Sequence, residues 1–478
     1  TPTPFAFNDV SIDAAQSGAL NAVVLFPASA TKYISTTGGL VMERSTRIVG
    51  YGATLMLTHA SATLFRISGG SAAEHIPGGI IGLSIEGNNG ASDTSIGVQI
   101  GNATEVADMV SLERMQIARF GNGVVFAGDG SAYGALLNMV YITGCIFTGV
   151  KLTTTTAIEL STIMNSIITV CGMAQATGAG VLVSSGSAHL VMRDVTMNNN
   201  GNGTLAQIQC DGAAILYLDG VGIENISTSV DRYAIRMLAL GAAGTNRLFM
   251  GSDTTLTEAG TGSHLKPLVS VKSGFFQWVN CRFIFTYGAT ITPFIDIGAG
   301  GTLENNSWVM RNCDLQALGT VANAQAFSWT GSGNGYAAID VAGTILEGFN
   351  TATNIIGTFP VNIAGAHDII KPGFQIGVSG KRKLINLHLM WDQDNSREVD
   401  WDLAQLTYGS TATKYSLKLA FANGKVGVKT PVVAPANLPA AGTDFDGTVL
   451  IEDVGAGDRN LIIYAGGQRF RIDGGAAF

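Results

Sequence analysis

Residues able to do acid–base chemistry are scarce in this 478-residue chain, of which only 13% is charged, and four of them crowd together: Asp194, Asp211, Asp219 and Glu224. Paired carboxylates are what cleavage of a glycosidic bond needs. One protonates the leaving oxygen while the other attacks or activates water, at roughly 5–5.5 Å in retaining and 6.5–9.5 Å in inverting enzymes. Glu224, Asp194 and Asp219 are the catalytic candidates, with Arg193 beside them to orient a substrate. Each also has a plain structural reading. Asp194 shares a turn position with Asn165, Asn280 and Asn312, Asp219 lies 26 residues beyond Arg193 where an ion pair forms, and Asp211 abuts Gly212 at a corner.

Other chemistries find no purchase. The six histidines never recur at helical spacing and never near a cysteine, so no zinc motif exists and no metal or cofactor is expected. Five cysteines without a CxxC pair are too few for a disulfide scaffold, and Cys281 and Cys313 read as stacked reduced thiols in a core. The runs GNGVVFAG, GAGVLVSSG and GSGNGY match no phosphate-binding pattern and read as turn glycines. Among aromatics, Trp278 and Trp308 fall at core positions. Trp329 and Tyr336 lie beside a Gly-rich loop, outside the repeat, where a ring can stack on a sugar. Trp391 and Trp401 flank an acidic run (392–402) that reads as a solvated face.

Such side chains need elements to hold them. With 46% hydrophobic residues and 62 Gly the chain affords a large core and is not disordered, and a net charge of -8 without a long basic run disfavours nucleic acid. The uncharged stretches 131–150 and 160–188 are too densely broken by Gly, Asn, Ser and Thr for membrane spans, and no signal peptide is visible. Short Val/Ile/Leu/Thr runs cut by Gly and Asn repeat instead. Their apolar anchors are Ile85, Ile117, Ile146, Ile168, Met197, Ile223, Phe283, Leu315 and Ile345, spaced 22–32 residues apart except for one gap of 60 that hides a coil anchored at Leu256. Residues 180–200 superimpose on 206–226 at a constant offset of 26. Period-2 columns in coils of this length predict an all-β fold, a right-handed single-stranded parallel β-helix whose coils are buried by their neighbours. A column expected to face outward holds Val140, Val191, Tyr217, Val309 and Ile339, which points to a covered protomer–protomer face.

The stretch 14–57, with an Ala-rich start, Val24-Leu25-Phe26-Pro27, Tyr33 to Ser35 and the Gly50-Tyr51-Gly52 turn, resembles the opening of the pectate-lyase-like superfamily, without its usual acidic leader. The C-terminal region, with alternating YSLKLAF and GKVGVKT, a Pro-rich linker (430–442) and a compact terminal module, resembles the short modules of bacteriophage tail fibres and tailspikes. Four parts follow: a cap (1–45), the β-helix (46–365), a C-terminal β domain (366–430) and a terminal module (431–478) for trimerisation or receptor contact. The resemblance implies a homotrimeric virion protein, assembled in the bacterial cytoplasm and joined to a phage tail or baseplate through an N-terminal anchor. It implies binding of a bacterial surface polysaccharide (capsule, exopolysaccharide or O-antigen) and its depolymerisation by hydrolysis. The alternatives are a non-catalytic receptor-binding tail fibre and a bacterial polysaccharide lyase or epimerase.

Overall fold

The computed structural model describes residues 5–6, then 23–318 with short interruptions, then single strands as far as residue 364, and strands between 418 and 473. Two compact units result, Thr1–Asn386 and Leu387–Phe478. In the first, the chain winds through three parallel sheets of 13, 13 and 12 strands, each strand pairing with its equivalents in the coils before and after. We call them sheets I, II and III in the order a coil visits them. One coil runs through Ser187–Arg193 in sheet I, Thr196–Asn198 in sheet II and Ile208–Cys210 in sheet III. Parallel strands can close into coils here because each turn buries its apolar residues on the next, not on a second layer.

The core follows from alternation. In sheet II, Leu55, Ile85, Ile117, Ile142, Ile168, Met197, Ile223, Leu256, Phe283 and Leu315 stand in one buried column. Leu256 is the anchor of the coil hidden in the long gap, as expected. Two anchors differ from the sequence reading. Ile142 takes the position assigned to Ile146, and Leu346 pairs with Leu315 where Ile345 was expected. The cause in the first case is a duplicated Thr-Gly. Gly144 occupies the left-handed corner (φ 63) that Arg119 (φ 62) and Val170 (φ 55) occupy in adjacent coils, so the register runs through the first Thr-Gly and not through Thr148-Gly149. Val140 consequently points into the core, and Ile339 pairs with Trp308; neither belongs to the outward column. That column runs Ser111, Leu136, Thr162, Val191, Tyr217, Phe249, Gln277 and Val309.

Not all glycines in the Gly-rich runs are turn residues. Gly123 lies inside the strand Asn122–Phe126, and Gly180 inside Ala179–Val183. A Cβ on Gly123 would fall 2.6 Å from the Gly149 carbonyl oxygen, and one on Gly180 2.9 Å from that of Gln207. These glycines let successive coils close up at the edge of sheet III. The offset of 26 holds from Ser187↔Ala213 to Asn198↔Glu224 and becomes 27 at Val181↔Ile208.

The second unit has an antiparallel pair, Lys418–Ala422 with Lys425–Lys429, and a four-stranded sheet in which Val449–Gly455, Asp458–Ala465 and Gln468–Asp473 form an antiparallel meander joined by Val432–Val433. Residues 7–22 of the expected cap, Tyr336, and the Trp391–Trp401 acidic run lie outside the described residues.

Candidate functional site

The carboxylates meet at the corner between sheets I and II. The chain turns there through one residue with positive φ per coil: Gly52, Gly82, Arg114, Met139, Asn165, Asp194, Gly220, Asp253, Asn280 and Asn312, at φ values from 49 to 76. Asp and Asn tolerate this conformation better than other side-chain-bearing residues, which explains the Asn/Asp column read from the sequence. Asp194 is exposed, and its amide donates to the Asp219 carbonyl of the next coil at 2.9 Å. Asp219 ends the following strand of sheet I. Its carboxylate pairs with Arg193 at 3.5 Å, both side chains being about half exposed, so the predicted ion pair forms and contributes about 0–1 kcal/mol.

Three glycines open this corner. A Cβ at Gly220 would lie 2.6 Å from Asp194 Oδ1, and one at Gly251 2.9 Å from Asp219 Oδ1, so each carboxylate lies over a bare backbone on the coil after its own. Gly222 sits on the outer face of sheet II between Thr196 and Thr255, with nothing within 4 Å of where its Cβ would be. We call this glycine-lined stretch the notch; Asp194, Asp219, Glu224 and the exposed Asp253 stand around it on three successive coils. Glu224 faces outward beside Asn198, as its spacing predicted. Its backbone is held from within, because Gln207 Nε2 donates to the Glu224 carbonyl at 3.0 Å. Asp211 accepts from Gln209 Nε2 at 2.6 Å at the far corner of its coil.

Sequence reasoning missed several features. At the far end of sheet II, toward sheet III, lies a buried polar group: Arg232 donates to Asn225 Oδ1 at 3.0 Å, Asn225 Nδ2 to Glu258, and Asn200 Nδ2 to Gln207 Oε1 at 3.2 Å. All five side chains are fully buried. Further along the axis Arg282 pairs with Asp314 at 3.5 Å and bonds Gln316 at 3.1 Å. On the outer face of sheet I, His189, Tyr217, Phe249 and Phe275 form a ring ladder with centroids 4.5–5.7 Å apart. The signal for it lay in the hidden coil, whose sheet I strand, Arg247–Met250, supplies Phe249. In earlier coils the corner between sheets I and II and the adjoining outer face of sheet II are apolar: Met139, Tyr141 and Ile167 are 39–50% exposed. One ridge thus changes along the axis from apolar to carboxylate-rich.

The substrate-stacking aromatics fare differently. Trp329 does not fall outside the repeat. It ends the sheet III strand Gln325–Trp329, in register with Ile297 and Ile355. Its register column runs back through Ile297 to Val271, Met237 and Cys210, the last three of which are buried. Trp278 is fully buried, as expected. The five cysteines are free and buried. The Cys281 thiol is held well up, first by its hydrogen bond to Cys313 and then by burial, and burial followed by the Asp211 charge does the same to Cys210. These are inert core thiols. No group of three or more metal-ligating side chains occurs among the described residues.

No family model matches the chain, and no curated protein matches its sequence. Similar solved structures are phage tailspikes and polysaccharide-acting β-helix proteins. One is ORF18 of Geobacillus virus E2, 14% identical over 97% of this chain and 82% of that one, with a TM-score of 0.35. Another is tailspike gp49 of the Acinetobacter baumannii bacteriophage Fri1, a capsular polysaccharide depolymerase, 10% identical over 98% of this chain and 75% of that one, with a TM-score of 0.32. A third is the A-module of the Azotobacter vinelandii mannuronan C-5 epimerase AlgE6, 14% identical over 75% of this chain and 94% of that one, with a TM-score of 0.37. No helix among the described residues is long and apolar enough to cross a membrane.

Proposed function

We propose that this chain is a tailspike-type virion protein that binds a bacterial surface polysaccharide along the ridge between sheets I and II and hydrolyses it at the notch of Asp194, Asp219 and Glu224. The observation that carries this reading is the pair of carboxylates seated over Gly220 and Gly251 beside the open face at Gly222. A rise of ~4.8 Å per coil sets Asp194 and Asp219, one register position apart on neighbouring coils, at a separation of the order used by two-carboxylate glycosidases, with Glu224 on the outer face of sheet II beside Asn198, four positions further along. In this mechanism Glu224, anchored through its carbonyl, protonates the glycosidic oxygen. Asp194 activates water, and Asp219 with Arg193 holds sugar hydroxyls by paired hydrogen bonds. The protein works as a homotrimer, attached through an N-terminal anchor to the phage tail or baseplate.

The test is the size distribution of a panel of capsular, exopolysaccharide and O-antigen preparations after incubation with the protein. Fragments that vanish with Glu224→Gln and Asp194→Asn support the reading; undiminished turnover in both variants sinks the assignment. One observation favours a second reading, a tail fibre that only binds. Asp219 is already engaged by Arg193, and Asp194 serves a backbone corner shared with three asparagines. Retained binding with unchanged glycan length would select it. An unsaturated product absorbing in the ultraviolet would instead select a lyase.

A further inference from the structure

Glu224 stands between two fully buried residues, Ile223 and Asn225, in the strand Gly222–Asn225. Its carbonyl accepts from the Asn199 amide and from Gln207 Nε2, each at 3.0 Å. Its carboxylate faces outward with Asn198 and Thr257 as register neighbours, so the backbone beneath sets where the acid lies. That backbone is gripped at Asn225. Arg232 Nη1 donates to Asn225 Oδ1 at 3.0 Å, and Asn225 Nδ2 donates to Glu258, its register neighbour on the next coil. Arg232 Nη2 also lies 3.0 Å from Met173 Sδ. Among the described residues Arg232 is the one buried cation. Stability alone is a poor reason for it, because apolar side chains of similar volume often serve as well as a buried ion group or better. An apolar filling is available here, since the same column continues from Glu258 into the buried Phe285 and Ala317. We infer that Arg232, Asn225 and Glu258 are positioning residues, a buried clamp that fixes the strand carrying Glu224 so that its carboxyl meets the glycosidic oxygen. The inference rests on Glu224 acting as the proton donor, as proposed above.

A general acid works only within hydrogen-bond reach of the oxygen it protonates, and a displacement of about 1 Å can cost on the order of 100-fold in rate. Sugar binding is spared, since Arg193 and Asp219 lie on sheet I, outside the clamp. Loss of the clamp should therefore lower kcat and leave KM nearly unchanged. Two variants of the full chain test this in steady-state depolymerisation assays. Arg232→Met with Glu258→Gln keeps an acceptor for Asn225 Nδ2 and should lower kcat by roughly 3–10-fold. Arg232→Met with Asn225→Leu and Glu258→Leu removes both bonds and should lower kcat by roughly 100-fold, with the urea midpoint at or above that of the unsubstituted protein. An unchanged kcat in either folded variant, or a loss that falls on KM instead, overturns the clamp. If the triple variant does not fold, the double variant decides by the same criterion. Hydrogen exchange at the Asn199 amide, which donates to the Glu224 carbonyl, needs no glycan. It should quicken by about tenfold in the triple variant, and unchanged exchange there also overturns the clamp. Glu224→Gln separates premise from inference. Full turnover in Glu224→Gln, or no glycan cleaved by the unsubstituted protein, overturns both. Turnover lost in Glu224→Gln but kept in the triple variant overturns the clamp alone.

Discussion

Gly220, Gly222 and Gly251 give the sharpest test of the notch, because alanine at each adds one methyl group and no charge. At Gly222 a Cβ meets nothing within 4 Å, and the residue lies in a strand. Alanine there narrows the unfolded ensemble and should stabilise by about 0.4–1 kcal/mol. At Gly251 the new Cβ sits 2.9 Å from Asp219 Oδ1, the end of a half-exposed side chain that can swing a few tenths of an ångström. The strain is small, and the net change should stay within about 0.5 kcal/mol. At Gly220 two costs add: a positive φ of 63, worth about 1–2 kcal/mol for alanine, and a Cβ 2.6 Å from Asp194 Oδ1. Part is offset by the narrowed unfolded ensemble, leaving about 1–2 kcal/mol of destabilisation. Urea unfolding followed by far-UV circular dichroism should therefore rank Gly222→Ala above the unsubstituted protein and Gly220→Ala below it. Depolymerisation should rank otherwise, with all three variants impaired, since a methyl at 222 fills the notch and those at 220 and 251 displace a carboxylate. If Gly222→Ala gains stability and keeps full activity, sugar does not lie on the notch and the site assignment is refuted.

Asp219→Asn breaks only an exposed ion pair, so its stability should change by less than about 1 kcal/mol, and a substrate-holding role predicts a raised KM at nearly unchanged kcat in steady-state assays. Val170 is a β-branched residue at φ 55 and 46% exposed; Val170→Asn should stabilise by about 1 kcal/mol in the same urea titration, and a loss would mean that the exposed valine is covered in the assembly. The raised thiols of Cys145 and Cys210 make the fold sensitive to alkali. Their protonated form is favoured in the folded state, so their contribution is complete below the unfolded pKa of about 8.5 and falls by roughly 1.4 kcal/mol per thiol per pH unit above it. Cys210→Ser should flatten the fall of urea stability between neutral pH and pH 10, and an unchanged slope would refute the burial argument.

How much could be read without coordinates depended on how local each constraint was. The period-2 anchors announced stacked coils because every coil must bury its own column against the next, and even the unmarked coil at Leu256 followed from spacing. Ile142 was misplaced because two Thr-Gly pairs stand five residues apart, and only the ladder of corner bonds, such as Gly144 N to Thr169 O at 3.2 Å, selects between them. Trp329 looked unattached because the third strand of each coil starts after a loop of variable length, which erases periodicity in sequence while pairing preserves it in space.

The candidate site divides in the same way. Sequence alone fixed the residues at issue, Asp194, Asp219, Glu224 and Arg193, and their placement on two successive coils, because the offset of 26 is a covalent count. It also determined that Glu224 faces out, since it follows the buried Ile223 in a strand. Only the tertiary structure decided that Gly220 and Gly251 lie under the two aspartates and that Gly222 opens the face between them. Those relations join residues of consecutive coils through the rise and stagger of the stack. Stagger is set by corner φ angles and coil-to-coil hydrogen bonds, and no spacing along the chain encodes it.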